Sequence, residues 1–188
     1  NMDKLLLHCC CGPCSMYPIS FLKSKNTELD MFWFNPNIHP EFEWKRRLDN
    51  LRIVASYYNE ELIEVGSSLE SYWMDCQFLS SFNSRCEMCY DMRIDMVAEY
   101  CASHDYRAFT TTLLVSPYQN HEEIVRIANE KAKKYGTKFE YHDFRDGYRT
   151  GQDMAREIGL YRQKYCGCIL SLEESKYRDK ILKSFEEA

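Results

Sequence analysis

A chain of 188 residues, 45% hydrophobic and 28% charged, is long enough to bury the core of one α/β domain and too short for two of ordinary size. Only seven Gly and five Pro, with no low-complexity run, exclude a disordered or repeat-built chain, and a formal net charge of −5 excludes a protein that coats nucleic acid non-specifically. The longest apolar runs, Leu5 to Leu7 and Met31 to Phe34, are too short to cross a bilayer, so a cytoplasmic location without membrane attachment is expected; Asn1 ahead of Met2 reads as a cloning remnant.

In chain order, Lys4 to His8 reads as a short buried strand ending in a cysteine-rich turn, and Ser15 to Lys25 has helical spacing. Leu29 to Phe34 is the second strand, followed by the Pro-bearing loop from Asn35 to Pro40. A helix is expected over Glu41 to Tyr58, with Arg47, Asn50 and Arg52 facing water, and a third strand over Glu61 to Val65. Ser67 to Ser81 is helical and rich in aromatics; a longer helix from Arg85 to His104 carries Cys86 and Cys89 near its start. Arg107 to Thr111 makes a fourth strand, Gln119 to Tyr135 a helix stopped by Gly136, and Lys138 to His142 a fifth strand. Helices near Gln152 to Ile158 and over Leu170 to Phe185 form a C-terminal extension from about residue 150, within a single domain spanning 2–188.

Strands alternating with long helices imply parallel βαβ units with right-handed crossovers, hence a Rossmann-like three-layer α/β domain with a mostly parallel sheet. Ligands of such sheets bind at the carboxyl ends of the strands. The cysteine turn, Thr110 to Thr112 and Asp143 to Arg145 all fall there.

Ten cysteines are many for a cytosolic chain, where thiols stay reduced and do not serve as staples. Eight fall in three groups: Cys9, Cys10, Cys11 and Cys14; Cys86 and Cys89; Cys166 and Cys168. Cys76 and Cys101 stand alone and read as packing residues. Cys10, Cys11, Cys86 and Cys89 supply a complete thiolate set for zinc or an iron–sulfur cluster. Adjacent cysteines are awkward ligands for tetrahedral zinc, whereas a cluster with several irons can use both, which favours iron. Cys11-x-x-Cys14 at a helix start also has the form of a thioredoxin-like redox motif. Cys166-Gly167-Cys168 has the spacing of a strained, reducible disulfide, or of a second metal site completed by Asp143 or Asp91.

Six ordered motifs carry a resemblance over nearly the whole chain: Leu7 to Ser15, Asn35 to Glu41, Arg85 to Tyr90 with Arg93, Thr110 to Pro117, Asp143 to Arg145, and Tyr161 to Cys168. They resemble the signature of the cobalamin-independent epoxyqueuosine reductases, the QueH family. The resemblance implies reduction of epoxyqueuosine to queuosine in the anticodon of transfer RNA, with a [4Fe-4S] cluster and an electron donor. It gives Cys9 no ligand role, because Cys9 falls at a position expected to vary.

Removing an epoxide oxygen takes two electrons and two protons, so a second redox element is expected beside the cluster. Cys166 and Cys168 are the candidates, as a cysteine pair or as ligands of a second iron or other divalent metal. Cys14, Asp143, His8 and Tyr165 are candidate proton donors, and Thr111, Arg145 and Tyr165 candidate substrate contacts. Trp33, Phe34, Tyr118 and Tyr165 are candidates for a base-stacking platform, with Arg145, Arg162 and Lys164 meeting phosphates. Lys45-Arg46-Arg47 and the lysines Lys131, Lys133 and Lys134 are either a local basic groove or solvated helix faces.

Two rivals remain open. An ATP-dependent sulfur-transferring tRNA enzyme needs a phosphate cradle rich in free N–H groups after strand one, but that turn holds cysteines and Pro13. A zinc-stabilised adaptor predicts a colourless, redox-silent protein that unfolds on chelation.

Overall fold

A computed structural model describes residues 3–187; Asn1, Met2, Ala188 and the Cys76 side chain lie outside the described part, and with them the readings of Asn1 and of Cys76. Strands β1 (Leu5–His8), β2 (Leu29–Trp33), β3 (Leu62–Glu64) and β4 (Ala108–Thr111) form one all-parallel sheet in the order β3-β2-β1-β4. Leu5 pairs with Leu29 on one side and Ala108 on the other. Every residue of β1, β2 and β4 is buried, as in a sheet covered on both faces.

Helices flank the sheet. α1 (Gly12–Ser24) packs on α2 (Glu41–Tyr58) and α7 (Tyr148–Glu157), and α5 (Arg85–Ser103) packs on α6 (His121–Tyr135). The main core joins Leu5, Leu7, Ile19, Phe32, Leu51, Val97, Phe109 and Ile127 across these layers. A second apolar cluster, with Trp73, Met88, Cys89, Tyr165, Cys168, Leu172 and Ile181, ties α5 to α3 (Glu70–Met74), α8 (Ile169–Glu174) and α9 (Arg178–Glu186). No described helix is long and apolar enough to cross a membrane.

Three expectations are corrected. Lys138 to His142 is not a strand: the Phe109 N–H donates to Lys138 O and the Glu140 N–H to Phe109 O, a single bridge. Beyond it the chain leaves the sheet edge, and His142 stacks on Phe144. Leu170 to Phe185 is two helices, α8 and α9, broken where the Ser175 hydroxyl accepts from the Tyr177 N–H. The aromatic stretch before Ser81 is likewise two short pieces, α3 and α4 (Cys76–Ser80).

α1 begins three residues earlier than its apolar spacing suggests. Cys11 is its N-cap, and Pro13 sits in the first turn, where its missing N–H has no intrahelical partner to lose.

Candidate active site

The first wall is the strand–turn–helix from β1 to α1. The strand ends at His8, and the Cys9 N–H still donates to Phe32 O at 2.9 Å, so the ladder holds the chain up to the first cysteine. The N-cap thiol of Cys11 then accepts from the Cys14 N–H at 3.4 Å, and the Cys10 N–H donates to Thr112 Oγ1 at 3.0 Å, tying the turn to the end of β4. This turn brings the Cys10, Cys11 and Cys14 sulfurs within 4.8 Å of one another. Cys9 points away: it is buried, bonded to Leu7 O, and desolvation pushes its thiol up to about 12.

Within the trio the protons are unequally held. Hydrogen bonds from the Cys11 and Cys14 thiols draw the Cys10 thiol well below the usual range, assisted by Thr112 Oγ1, which donates to it at 3.3 Å, and by the Arg93 charge. The two donor thiols are correspondingly pushed up, Cys11 to about 12. Of the three thiols, Cys10 is the one whose proton is held least tightly.

The second wall comes from α5 and the loop 161–169. Ser84 caps α5 by accepting from the Glu87 N–H, which places Cys86 in the first turn, exposed, and Cys89 one turn further, buried. The Trp73 indole N–H donates to Cys89 Sγ at 3.2 Å, and burial pushes that thiol up to about 12. Cys166 is exposed, whereas Cys168 is buried and caps α8 by accepting from the Ser171 N–H. Gly167 between them has φ +142, and a Cβ there would lie 3.1 Å from Arg47 Nη1, so only glycine fits.

A buried ionic network fixes that loop. Glu43, fully buried on α2, accepts from Arg47 Nε at 2.6 Å, from Arg46 Nη2 at 2.7 Å and from the Tyr161 hydroxyl at 3.0 Å. Arg47 then donates to Cys166 O at 2.9 Å and Tyr165 O at 2.8 Å. Asn50 holds both the N–H and the C=O of Tyr161, and His39 Nδ1 accepts from the Ile169 N–H at 2.8 Å. The expectation that Arg47 and Asn50 face water is therefore corrected: both are buried, and only Arg52 of the three is exposed. The Lys45-Arg46-Arg47 run is not a free basic groove, because Arg46 and Arg47 are both paired with Glu43.

Between the walls lies a cavity of about 570 Å³ lined by Cys10, Cys11, Cys14, Cys86 and Cys166. Beside the aliphatic Pro13, Ile38 and Leu113, the remaining lining is polar and aromatic, including Tyr90, Arg93, Gln119, Glu123, Tyr118 and Arg162. Tyr118 is 84% exposed and meets Tyr148 edge-on at 5.9 Å, so the two rings form an aromatic corner on the cavity. Five cysteines from three segments therefore converge on one space, while Cys89 and Cys168 sit just behind its wall.

The other expected site residues lie elsewhere. Thr111 is fully buried; its hydroxyl pairs with His8 Nδ1 at 2.8 Å and accepts from the Leu113 N–H. Tyr165 is buried, with its hydroxyl donating to His39 O. Asp143 and Arg145 pair with each other at 2.7 Å at the surface, away from the cavity lining. That pairing pulls Asp143 down to about 2, so it is ionised near neutrality and holds no proton to give. Burial lowers His8 to about 4, and its ring nitrogens are engaged by Thr111 and Asn35. Trp33 and Phe34 belong to the core, so of the four platform aromatics only Tyr118 reaches the cavity. Arg162 lines the cavity and Lys164 does not.

Arg93 was legible only as part of a motif, and Glu43 not at all. The available signal was the polar stripe Glu43, Arg47, Asn50 at helical spacing beside the apolar Leu51 and Val54.

Residues 5–174 match the family described as Epoxyqueuosine reductase QueH. Among curated relatives carrying that name, the protein of Dehalococcoides mccartyi is 36% identical over 169 residues, covering 89% of this chain and 92% of the relative. That of Thermotoga maritima is 32% identical over 183 residues, 93% of each chain, and that of Acinetobacter baylyi is 31% identical over 195 residues, 96% of this chain and 88% of the relative. With the family match over residues 5–174 and these relatives covering most of its length, this chain belongs to the epoxyqueuosine reductase QueH family of oxidoreductases.

Proposed function

We propose that the chain reduces epoxyqueuosine to queuosine in the anticodon of transfer RNA, at an iron–sulfur centre in the cysteine-lined cavity. The observation that carries this reading is the convergence of Cys10, Cys11, Cys14, Cys86 and Cys166 on that one cavity. Thiolate sulfur is the donor that iron–sulfur clusters take, and the set is larger than one structural zinc needs. Cys10, Cys11 and Cys86 face the cavity as ligands of a [4Fe-4S] cluster, with Cys89 as the fourth ligand the motifs imply. Because the Cys14 sulfur is packed against Cys10 and Cys11 while Cys89 sits behind the wall under Trp73, Cys14 is the alternative fourth ligand. When bound, the cluster supplies electrons to the substrate one at a time.

The chain's own residues do the rest. The target base leaves its stacked neighbours to enter the cavity, a modest cost in a single-stranded anticodon loop. The Tyr118–Tyr148 corner stacks a base at the mouth, and exposed Arg162 meets the backbone. Inside, Asn37 Oδ1 and Glu123 Oε1 are buried acceptors without a hydrogen-bond donor among the described residues, and both residues line the cavity. A base edge carrying N–H donors satisfies them. Cys166 and Cys168 form the second redox element, as a thiol pair or as ligands of a second iron. Of the expected proton donors, Cys14 is the one that lines the cavity, and it serves as donor where Cys89 is the fourth ligand.

The test is turnover: protein purified without oxygen, given a chemical reductant and transfer RNA bearing epoxyqueuosine, should yield queuosine, one oxygen lighter, on nucleoside digestion. Unchanged epoxyqueuosine with iron-loaded protein would sink the reading.

A further inference from the structure

Arg93 is 6% exposed, yet among the described residues it pairs with no carboxylate. Its Nε donates to Cys89 O at 2.8 Å and its guanidinium lies 5.9 Å from the Tyr90 ring centroid, but its terminal nitrogens make no hydrogen bond to a described residue. Arg47 shows what a buried arginine normally has: a buried carboxylate at 2.6 Å and two backbone carbonyls. A buried charge without such partners is costly unless a ligand completes it. Arg93 lines the cavity with Cys10, Cys86 and Cys166, so its unused donors open where a ligand enters.

The Arg93 charge acts on Cys10, Cys89 and Cys166 through space, but no sulfur accepts a hydrogen bond from it among the described residues, and three sulfurs have other donors. Cys10 accepts from Thr112 Oγ1, Cys11 from the Cys14 N–H and Gln163 Nε2, and Cys89 from Trp73 Nε1. The open valence of Arg93 suits an oxygen that gains negative charge, to which a guanidinium presents a planar fork of donors.

Resting on the functional reading above, we infer that Arg93 is a catalytic residue that holds the epoxide oxygen while the C–O bonds break. The balance is an epoxide, two electrons and two protons giving an alkene and water. Two electrons from the reductant enter the ring carbon as the first C–O bond breaks, with the bond pair leaving on oxygen as an alkoxide, which takes one proton. The carbon pair then forms the C=C bond and expels hydroxide, which takes the second proton. The oxygen carries charge at both stages, and the Arg93 guanidinium stabilises that charge without supplying the protons.

The test compares Arg93→Gln and Arg93→Lys with wild type, all purified without oxygen, reading iron and sulfide content, affinity for the substrate transfer RNA, kcat and KM. Arg93→Gln should keep its iron and sulfide and its RNA affinity while kcat falls by about 10²–10³-fold, the loss typical of a missing oxyanion donor. Arg93→Lys, which keeps the charge and loses the fork, should recover roughly tenfold of that loss. Three results would overturn the inference: kcat within about threefold of wild type in Arg93→Gln, loss of iron in both variants, or a loss confined to RNA affinity, which would make Arg93 a phosphate contact. Wild-type protein that leaves epoxyqueuosine unchanged would instead overturn the functional reading itself.

Discussion

The turn from Cys9 to Cys14 and the loop 161–169 deliver cysteines to the same cavity by opposite means. The turn is held by backbone: a fully buried central strand leads into it, the β1–β2 ladder runs up to Cys9, and the N-terminus of α1 receives it. Up to Cys168 the loop has no regular structure of its own and is held by side chains more than a hundred residues away, namely Glu43, Arg47, Asn50 and His39. A site half built from a local motif and half from remote polar contacts separates metal holding from loop placement. The two functions should therefore fail separately on mutation.

The largest effect tests that separation on the cysteines. Cys10→Ser and Cys86→Ser should abolish iron incorporation and turnover together, whereas Cys166→Ser should keep its iron and lose turnover. Equal loss of iron in Cys166→Ser and Cys86→Ser would merge the two halves into one ligand set. Cys14→Ser against Cys89→Ser decides the fourth ligand by the same measurement.

The next effect is on stability. Glu43→Gln leaves Arg47 buried beside a neutral partner, and breaking a buried pair from one side typically costs about 3–5 kcal/mol, read by urea unfolding. The exposed pair of Arg52 with Glu64 at 2.6 Å is the contrast, and Arg52→Ala should cost about 1 kcal/mol or less.

A third variant sharpens the comparison by joining its two sides. A Cβ on Gly12, in the cysteine turn, would sit 2.8 Å from Asn50 Nδ2, the group that holds the Tyr161 carbonyl. Gly12→Ala should therefore disturb the remote loop from within the local motif, at about 1–3 kcal/mol as for other overpacked sites. A protected Tyr161 amide that exchanges as slowly as in wild type would show the two regions to be uncoupled.

His39 gives the loop a pH dependence. Burial lowers its pKa to about 4, and its unprotonated Nδ1 accepts from the Ile169 N–H. Above about pH 6.5 the ring is neutral folded or unfolded; as pH falls toward 4 only the unfolded chain takes up the proton, so stability drops by up to about 3 kcal/mol. Unfolding free energies between pH 7 and 4 check this, and His39→Asn should remove one proton's worth of the slope.

The same division explains what the sequence made legible. β1, the cysteine turn and α1 were readable because apolar run, turn and capping lie within twenty residues, and the parallel order followed from alternating elements. Lys138 to His142 misled because its alternation is that of a strand, while pairing depends on an edge that accepts only Phe139. Arg47 and Asn50 misled because polar residues on a helix default to solvent, and nothing local announces that residues 161–169 will cover them. Thr111 and Tyr165 were placed near the ligand by motif position, but their hydroxyls are engaged by His8 and His39. Asp143 and Arg145, adjacent to a strand end in the sequence, satisfy each other at the surface.

The central claim, that these converging cysteines hold an iron–sulfur centre, is tested most directly by iron, zinc and acid-labile sulfide analysis with a visible spectrum on protein purified without oxygen. Iron and sulfide in near-equal amounts in a brown protein is the predicted result; zinc without sulfide in a colourless one would contradict it.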